Sequence, residues 1–215
     1  MLNLRDTVTE TNHFFQSKST IETAKDMLGH VLTYQSDQGI LSGVIVETEA
    51  YLGPNDMAAH SYGGRHSKAN DPLYQQGGTI YIYSIHSWLD MDISVQEKGL
   101  PNGILIRGVQ PIAGQDIMEQ NRKKTGFDAT NGPAKWIRAF GITDKELSGT
   151  MLNSDNFTFD LKKSKTPKHI LETPRIGVPN KGEWTNKKMR FIVEGNPYVS
   201  KMYKRDMDLD TFGWQ

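Results

Sequence analysis

The 215-residue chain contains no cysteine. That absence removes a disulfide framework, a thiol nucleophile and any zinc site built on thiolates. No stretch approaches the roughly 20 apolar residues that a membrane-spanning helix requires. The opening MLNLRDTVTETNHFF carries acids where a secretory leader has a basic and then an apolar stretch. A cytoplasmic protein without a membrane partner is expected. The six histidines (His13, His30, His60, His66, His86 and His169) show no HExxH or comparable ligand spacing, so neither a metal nor another cofactor is expected.

Net charge is also missing, since 25 basic residues balance 25 acidic ones. The balance hides a division along the chain. Residues 1–119 hold 7 Lys and Arg against 14 Asp and Glu, a net of −7, whereas residues 120–215 hold 18 against 11, a net of +7. A neutral protein organised in this way can still present a basic face to phosphates, although solvated loops and faces account for the same asymmetry.

What is present suits one globular domain, with 36% hydrophobic and 23% charged residues. A helix is predicted near residues 20–28, with Ser19 or Thr20 as cap, Glu22 in the first turn and Gly29 ending it. HVLTYQ and GILSGVIVETEAYL read as a hairpin of strands buried on both faces. Residues 53–78 form a long Gly- and Pro-rich loop, the kind that usually carries function. GTIYIYSIHSWLDMDISV reads as a strand pair or tight hairpin, NGILIRGV as a strand leading into the helix PIAGQDIMEQNRKK, and NGPAKWIRAFGI as a short helix with Pro133 in its first turn. Residues 150–174 suggest an edge strand and a loop, and RIGV and MRFIVEG suggest late strands. Together these predict a single α+β domain spanning residues 1–215, a mainly antiparallel curved sheet flanked by helices, with residues 1–15 and 205–215 frayed.

The stretch richest in chemistry is VIVETEAYLGPNDMAAHSYGG, where a strand ends in two acids and an aromatic just before the long loop. Glu47, Glu49 and Tyr51 alternate and share one face, with Thr48 and Ala50 on the other. A strand end is rigid enough to aim a catalytic carboxylate, yet charged strand faces are also commonplace. Tyr81 and Tyr83 alternate with Ile80 and Ile82, a pattern that also suits core tyrosines. Arg107, within an apolar strand, needs a partner such as Glu47 or Asp92.

ETEAYLGPNDMAAHS, GTIYIY, NGILIRGVQP, NGPAK and RIGVPNKGEW resemble, in that order, the signature stretches of the alkyladenine (3-methylpurine) DNA glycosylase family, from about residue 20 to about residue 200. The resemblance implies a monofunctional base-excision-repair hydrolase. Such an enzyme flips an alkylated or deaminated purine out of double-stranded DNA and leaves an abasic site, here acting as a monomer at the nucleoid. It assigns Glu49 as the base that activates water and Arg107 as the group holding that water or a nearby phosphate. Tyr51 and Tyr83 then close on the two faces of the flipped base, while His60 and the main chain of Ala58 meet its edge. Ile176 lends a backbone carbonyl to the water, and Glu47 is structural. The resemblance also implies a protruding β-hairpin that inserts into DNA.

Two positions depart from the family pattern. The hairpin segment SIHSWLDMDIS is one residue short and lacks the family's inserting tyrosine, which leaves Ile85, His86 and Trp88 as wedge candidates. Asp92 replaces an asparagine that discourages guanine-type amino groups, so weaker exclusion of lesions such as 7-methylguanine is expected. A damage-binding protein without turnover and a hydrolase of free nucleosides are the competing readings.

Overall fold

The computed structural model describes residues 4–162 and 164–215. Helices α1 (Leu4–Gln16) and α2 (Thr20–Asp26) precede a hairpin of β1 (Val31–Ser36) and β2 (Gly39–Tyr51). Ser19 caps α2 in a reciprocal capping box with Glu22. After the long loop come β3 (Ile80–Ile85), β4 (Trp88–Val95) and β5 (Asn102–Ala113). Helices α3 (Gln115–Arg122) and α4 (Pro133–Ala139) follow, and then the short strands β6 (Phe157–Phe159), β7 (Ile170–Thr173) and β8 (Arg190–Val193). The α+β class is therefore as expected. Among the described residues no helix is long and apolar enough to cross a membrane.

All eight strands join one antiparallel sheet in the order β3-β4-β5-β2-β1-β6, with β8 pairing β2 and β7. The 13-residue β2 organises it. Its first half pairs with β1, its Glu47–Glu49 end pairs with β8, and β5 runs along its other side. The β2–β5 register shifts on either side of Glu47. There Gly108 sits so close to Tyr198 that an added Cβ would lie 2.7 Å from the Tyr198 carbonyl oxygen, so no larger residue fits beside Glu47. The two faces of β2 divide as expected: Thr48 turns to α2 and donates to the Ala24 carbonyl at 2.8 Å, while Glu47 and Glu49 face away. The main core gathers Phe15, Met27, Leu28, Ile45, Ile106, Trp136, Phe140 and Phe191 among others, and α4 is pinned to β5 by the Trp136 indole donating to the Ile106 carbonyl at 2.8 Å.

Several expectations give way. RIGV is not a strand: Gly177 adopts φ 81 and Arg175 is drawn into a buried ion pair, so residues 175–178 turn. Pro111–Ala113 extend β5 instead of opening α3. Pro111 lacks an N–H but falls where the β2–β5 register shifts, and Gly114 with φ 73 ends the strand. In β1 only Leu32 is buried, because β6 is short and leaves that side of the sheet partly open. Each end also contributes a buried aromatic. Helix α1 forms and buries Phe15, although residues 1–3 lie outside the described residues. At the other end Trp214 is 4% exposed, bridges to Pro167 and donates to Gln110 at 2.8 Å.

Trp214→Ala should therefore destabilise the fold by about 3–5 kcal/mol in urea unfolding. A cost below about 1 kcal/mol would show that the tail is dispensable.

Candidate active site

Glu47 and Glu49, both fully buried, share a strand face but have opposite surroundings. Glu47 accepts from Arg107 Nε at 2.9 Å, Arg190 Nε at 2.6 Å, and the Ser200 N–H and hydroxyl, each at 2.7 Å. A carboxylate engaged so completely is a structural anchor. Glu49 is held more loosely. Its Oε1 accepts the Ile176 N–H at 2.8 Å and lies 3.4 Å from Arg107 Nε, and its Oε2 accepts the Tyr51 hydroxyl at 2.8 Å. Burial pushes the Glu49 carboxyl above the ordinary carboxylate range, outweighing Arg107, the Ile176 amide and the Tyr51 hydroxyl. Arg107 thus bridges both glutamates and does not reach Asp92.

Beside this pair lies a cavity of about 380 Å³, within the range of small-molecule sites. Its walls include Tyr51, Ala58, His60, Tyr83, Asp90, Asp92, Arg107 and Ile176. The tyrosines are not part of the main core: Tyr81 and Tyr83 stack at 4.9 Å and cluster with Leu73 beneath the long loop. The Tyr83 hydroxyl donates to Asp92 Oδ1 at 2.9 Å, and His60 meets Tyr83 edge-on at 4.5 Å with its Nδ1 3.0 Å from the Tyr81 hydroxyl. Partial desolvation, with the Arg65 charge, lowers the His60 pKa and favours a neutral ring. Ala58 lines the cavity, but its N–H is committed to Asp56 at 2.9 Å. Ile176 lines the cavity, and its N–H donates to Glu49 at 2.8 Å. Among the described residues no group of three or more acids or histidines is arranged to hold a metal ion.

The β3–β4 hairpin turns through His86 and Ser87, both at positive φ (48 and 70), the geometry of a tight two-residue turn. Ile85 and His86 line the mouth of the cavity, whereas Trp88 turns toward α4, with the Arg138 guanidinium 5.4 Å from its ring.

Two site residues escape sequence reasoning. Asp90 lines the cavity two residues before Asp92 on β4, where strand alternation alone would have found it. Arg175 is fully buried and grips Asp56 through two hydrogen bonds of 2.6 and 2.9 Å. It also donates to the Ala50 carbonyl at 2.9 Å and lies 4.5 Å from the Tyr51 ring. Asp56 in turn accepts from the amides of Leu52 and Ala58. One ion pair thereby ties the long loop to the 175–178 turn and fixes the Tyr51 ring between them.

The profile of the methylpurine-DNA glycosylase (MPG) family matches residues 13–197. The chain belongs to that family. Relatives named "Putative 3-methyladenine DNA glycosylase" include one from Staphylococcus carnosus, 50% identical over 90% of this chain and 94% of its own length. Another, from Lactobacillus johnsonii, is 48% identical over the same shares. A third, from Staphylococcus saprophyticus, is 45% identical over 94% of this chain and 98% of its own.

Within this methylpurine-DNA glycosylase, Arg175→Ala should destabilise by about 3–5 kcal/mol, since it strands a buried Asp56. Arg175→Ala/Asp56→Ala should cost less than the two single substitutions combined in urea unfolding. Simple additivity would sink the clamp.

Proposed function

We propose that the protein is a monofunctional DNA glycosylase that hydrolyses the bond between deoxyribose and a methylated purine, 3-methyladenine above all, and leaves an abasic site. One observation carries the reading: a buried glutamate of raised proton affinity stands behind a purine-sized cavity walled by tyrosines. A base stacked in a duplex cannot enter such a cavity, so the nucleotide must be extruded at a cost of a few kcal/mol of unstacking. Stacking on Tyr51 and Tyr83 returns about 1–3 kcal/mol per base. Ile85 and His86, at the mouth of the cavity, fill the gap in the duplex, while Trp88 serves to brace the hairpin on α4. Lys181 on the cavity wall and the basic second half of the chain face the phosphates of double-stranded DNA.

As the C1′–N bond breaks, the sugar gains oxocarbenium character. Glu49 stabilises that charge and takes a proton from the attacking water. Arg107 keeps Glu49 oriented, and Tyr51 and Ile176 fix its two oxygens. In its ionised form Asp92 accepts from a guanine-type amino group at the base edge and so admits lesions that bear one, and the enzyme acts as a monomer.

Duplexes carrying an alkylated purine should yield abasic sites that break only on alkali treatment. Strand breaks without alkali would instead implicate Lys181 as a Schiff-base amine. Glu49→Gln should still bind lesion DNA while losing about 10²–10⁴-fold in single-turnover excision; wild-type excision by this variant would refute the assignment. Excision of an alkylated purine should rise with pH as Glu49 loses its proton, above the ordinary carboxylate range. The Tyr51 hydroxyl stabilises the Glu49 carboxylate, so Tyr51→Phe should move that acid limb to higher pH. A limb moving to lower pH would contradict this arrangement.

A further inference from the structure

We infer that Asp92 is a general acid that hands a proton to the departing ring of an uncharged purine, with the Asp90 carboxylate helping to hold that proton until a base arrives. The inference rests on the glycosylase reading and adds a second catalytic carboxyl to it. Its basis is an imbalance of buried charge. Four buried carboxyls, Glu47, Glu49, Asp90 and Asp92, surround the site, and the nearby buried cations Arg107 and Arg190 are engaged by Glu47 and Glu49. Arg175 is engaged by Asp56. Among the described residues no Lys, Arg or His lies within ion-pair distance of Asp90 or Asp92. Buried carboxylates without a counter-cation relieve the imbalance by binding a proton.

The surroundings of Asp92 say where that proton sits. From β3, Tyr83 donates its hydroxyl to Oδ1 and Tyr81 stands opposite in register; from β2 come Glu49 and Tyr51; from β5, Arg107; from the loops and the hairpin tip, His60, Lys181 and His86 line the same cavity. With Oδ1 already accepting, the proton belongs on Oδ2. That oxygen lies beside Gly103 on the cavity wall, 3.3 Å from where a Cβ would stand. Burial pushes Asp92 up to about 8, with Asp90 and Glu49 adding to the rise against the Tyr83 hydrogen bond. Asp90 itself reaches only about 6, where burial and Glu49 act against Arg107. At neutral pH Asp92 is therefore the protonated member.

In the step, the Asp92 proton passes to a ring nitrogen of the purine and the C1′–N electron pair withdraws into that ring, which leaves neutral. Water bonds to C1′ and yields its proton to Glu49. Solvent then reprotonates Asp92 and deprotonates Glu49. A purine made cationic by methylation already leaves neutral and needs no such proton.

Single-turnover excision of hypoxanthine and of 3-methyladenine, neither of which carries a guanine-type amino group, should be followed against pH. In the wild type, excision of hypoxanthine should fall above about pH 8, a fall that 3-methyladenine does not share. Asp92→Asn should abolish that fall and lower the hypoxanthine to 3-methyladenine rate ratio by roughly 100-fold. Asp90→Asn should keep the fall but move it to lower pH, because the neighbouring negative charge is gone; a merely structural role would not shift it. A ratio within about twofold of wild type in Asp92→Asn, with the fall intact, overturns the inference while leaving the glycosylase reading standing. Failure of the wild type to excise either lesion overturns both.

Discussion

A single guanidinium holds the site together. Arg107 Nε lies 2.9 Å from Glu47 and 3.4 Å from Glu49, three charged groups in a region with almost no solvent. Charges are tolerated there only when paired and hydrogen-bonded. The fold supplies the rest of the pairing from distant parts of the chain: Arg190 from β8, and the amide and hydroxyl of Ser200. These close on Glu47 and leave Glu49 with fewer partners: the Ile176 amide, the Tyr51 hydroxyl and a share of Arg107. The β2–β5 register shifts on either side of Glu47, and Gly108 lacks a side chain where the Tyr198 carbonyl closes in beside this cluster. Sheet geometry and chemistry are set by the same buried charges.

Much of this was legible in the sequence, and the reasons differ by element. Strand alternation placed Glu47 and Glu49 on one face and Thr48 on the other, because side-chain direction in a strand is local. The α2 cap and the β3–β4 hairpin were also readable, since caps and turns are written in a few adjacent residues. What failed is non-local. RIGV has the composition of a strand, but a buried ion pair with Asp56, 119 residues earlier in the chain, converts it into a turn that delivers Ile176 to Glu49. Packing against Pro167 and Gln110, not the composition of the tail, decides that Trp214 is buried. Asp90 is local and legible: it stands two residues before Asp92 on β4, and strand alternation points both into the same cavity.

Under the proposed function, recognition of the base combines aromatic faces with carboxyls, and Arg175 alters how those contributions divide. A tyrosine ring attracts a cationic base through its negative face. Arg175 already lies 4.5 Å from the Tyr51 ring, and a second cation on the opposite face meets a ring whose electrons are drawn toward the first. The clamp that makes Tyr51 rigid thus weakens its preference for charged over neutral purines. On that reading, selection of positive charge passes to the carboxyls around the cavity: Asp90, which lines it and has no ion-pair partner among the described residues, and Glu49 behind it, which shares Arg107 with Glu47. A methylated purine bearing a full charge is drawn in by these carboxylates. An uncharged purine stacks as well on the tyrosines but gains nothing from them until a proton is supplied. If Asp92 carries the proton as inferred, discrimination between damaged bases depends less on the shape of the tyrosine slot than on where protons reside along β4.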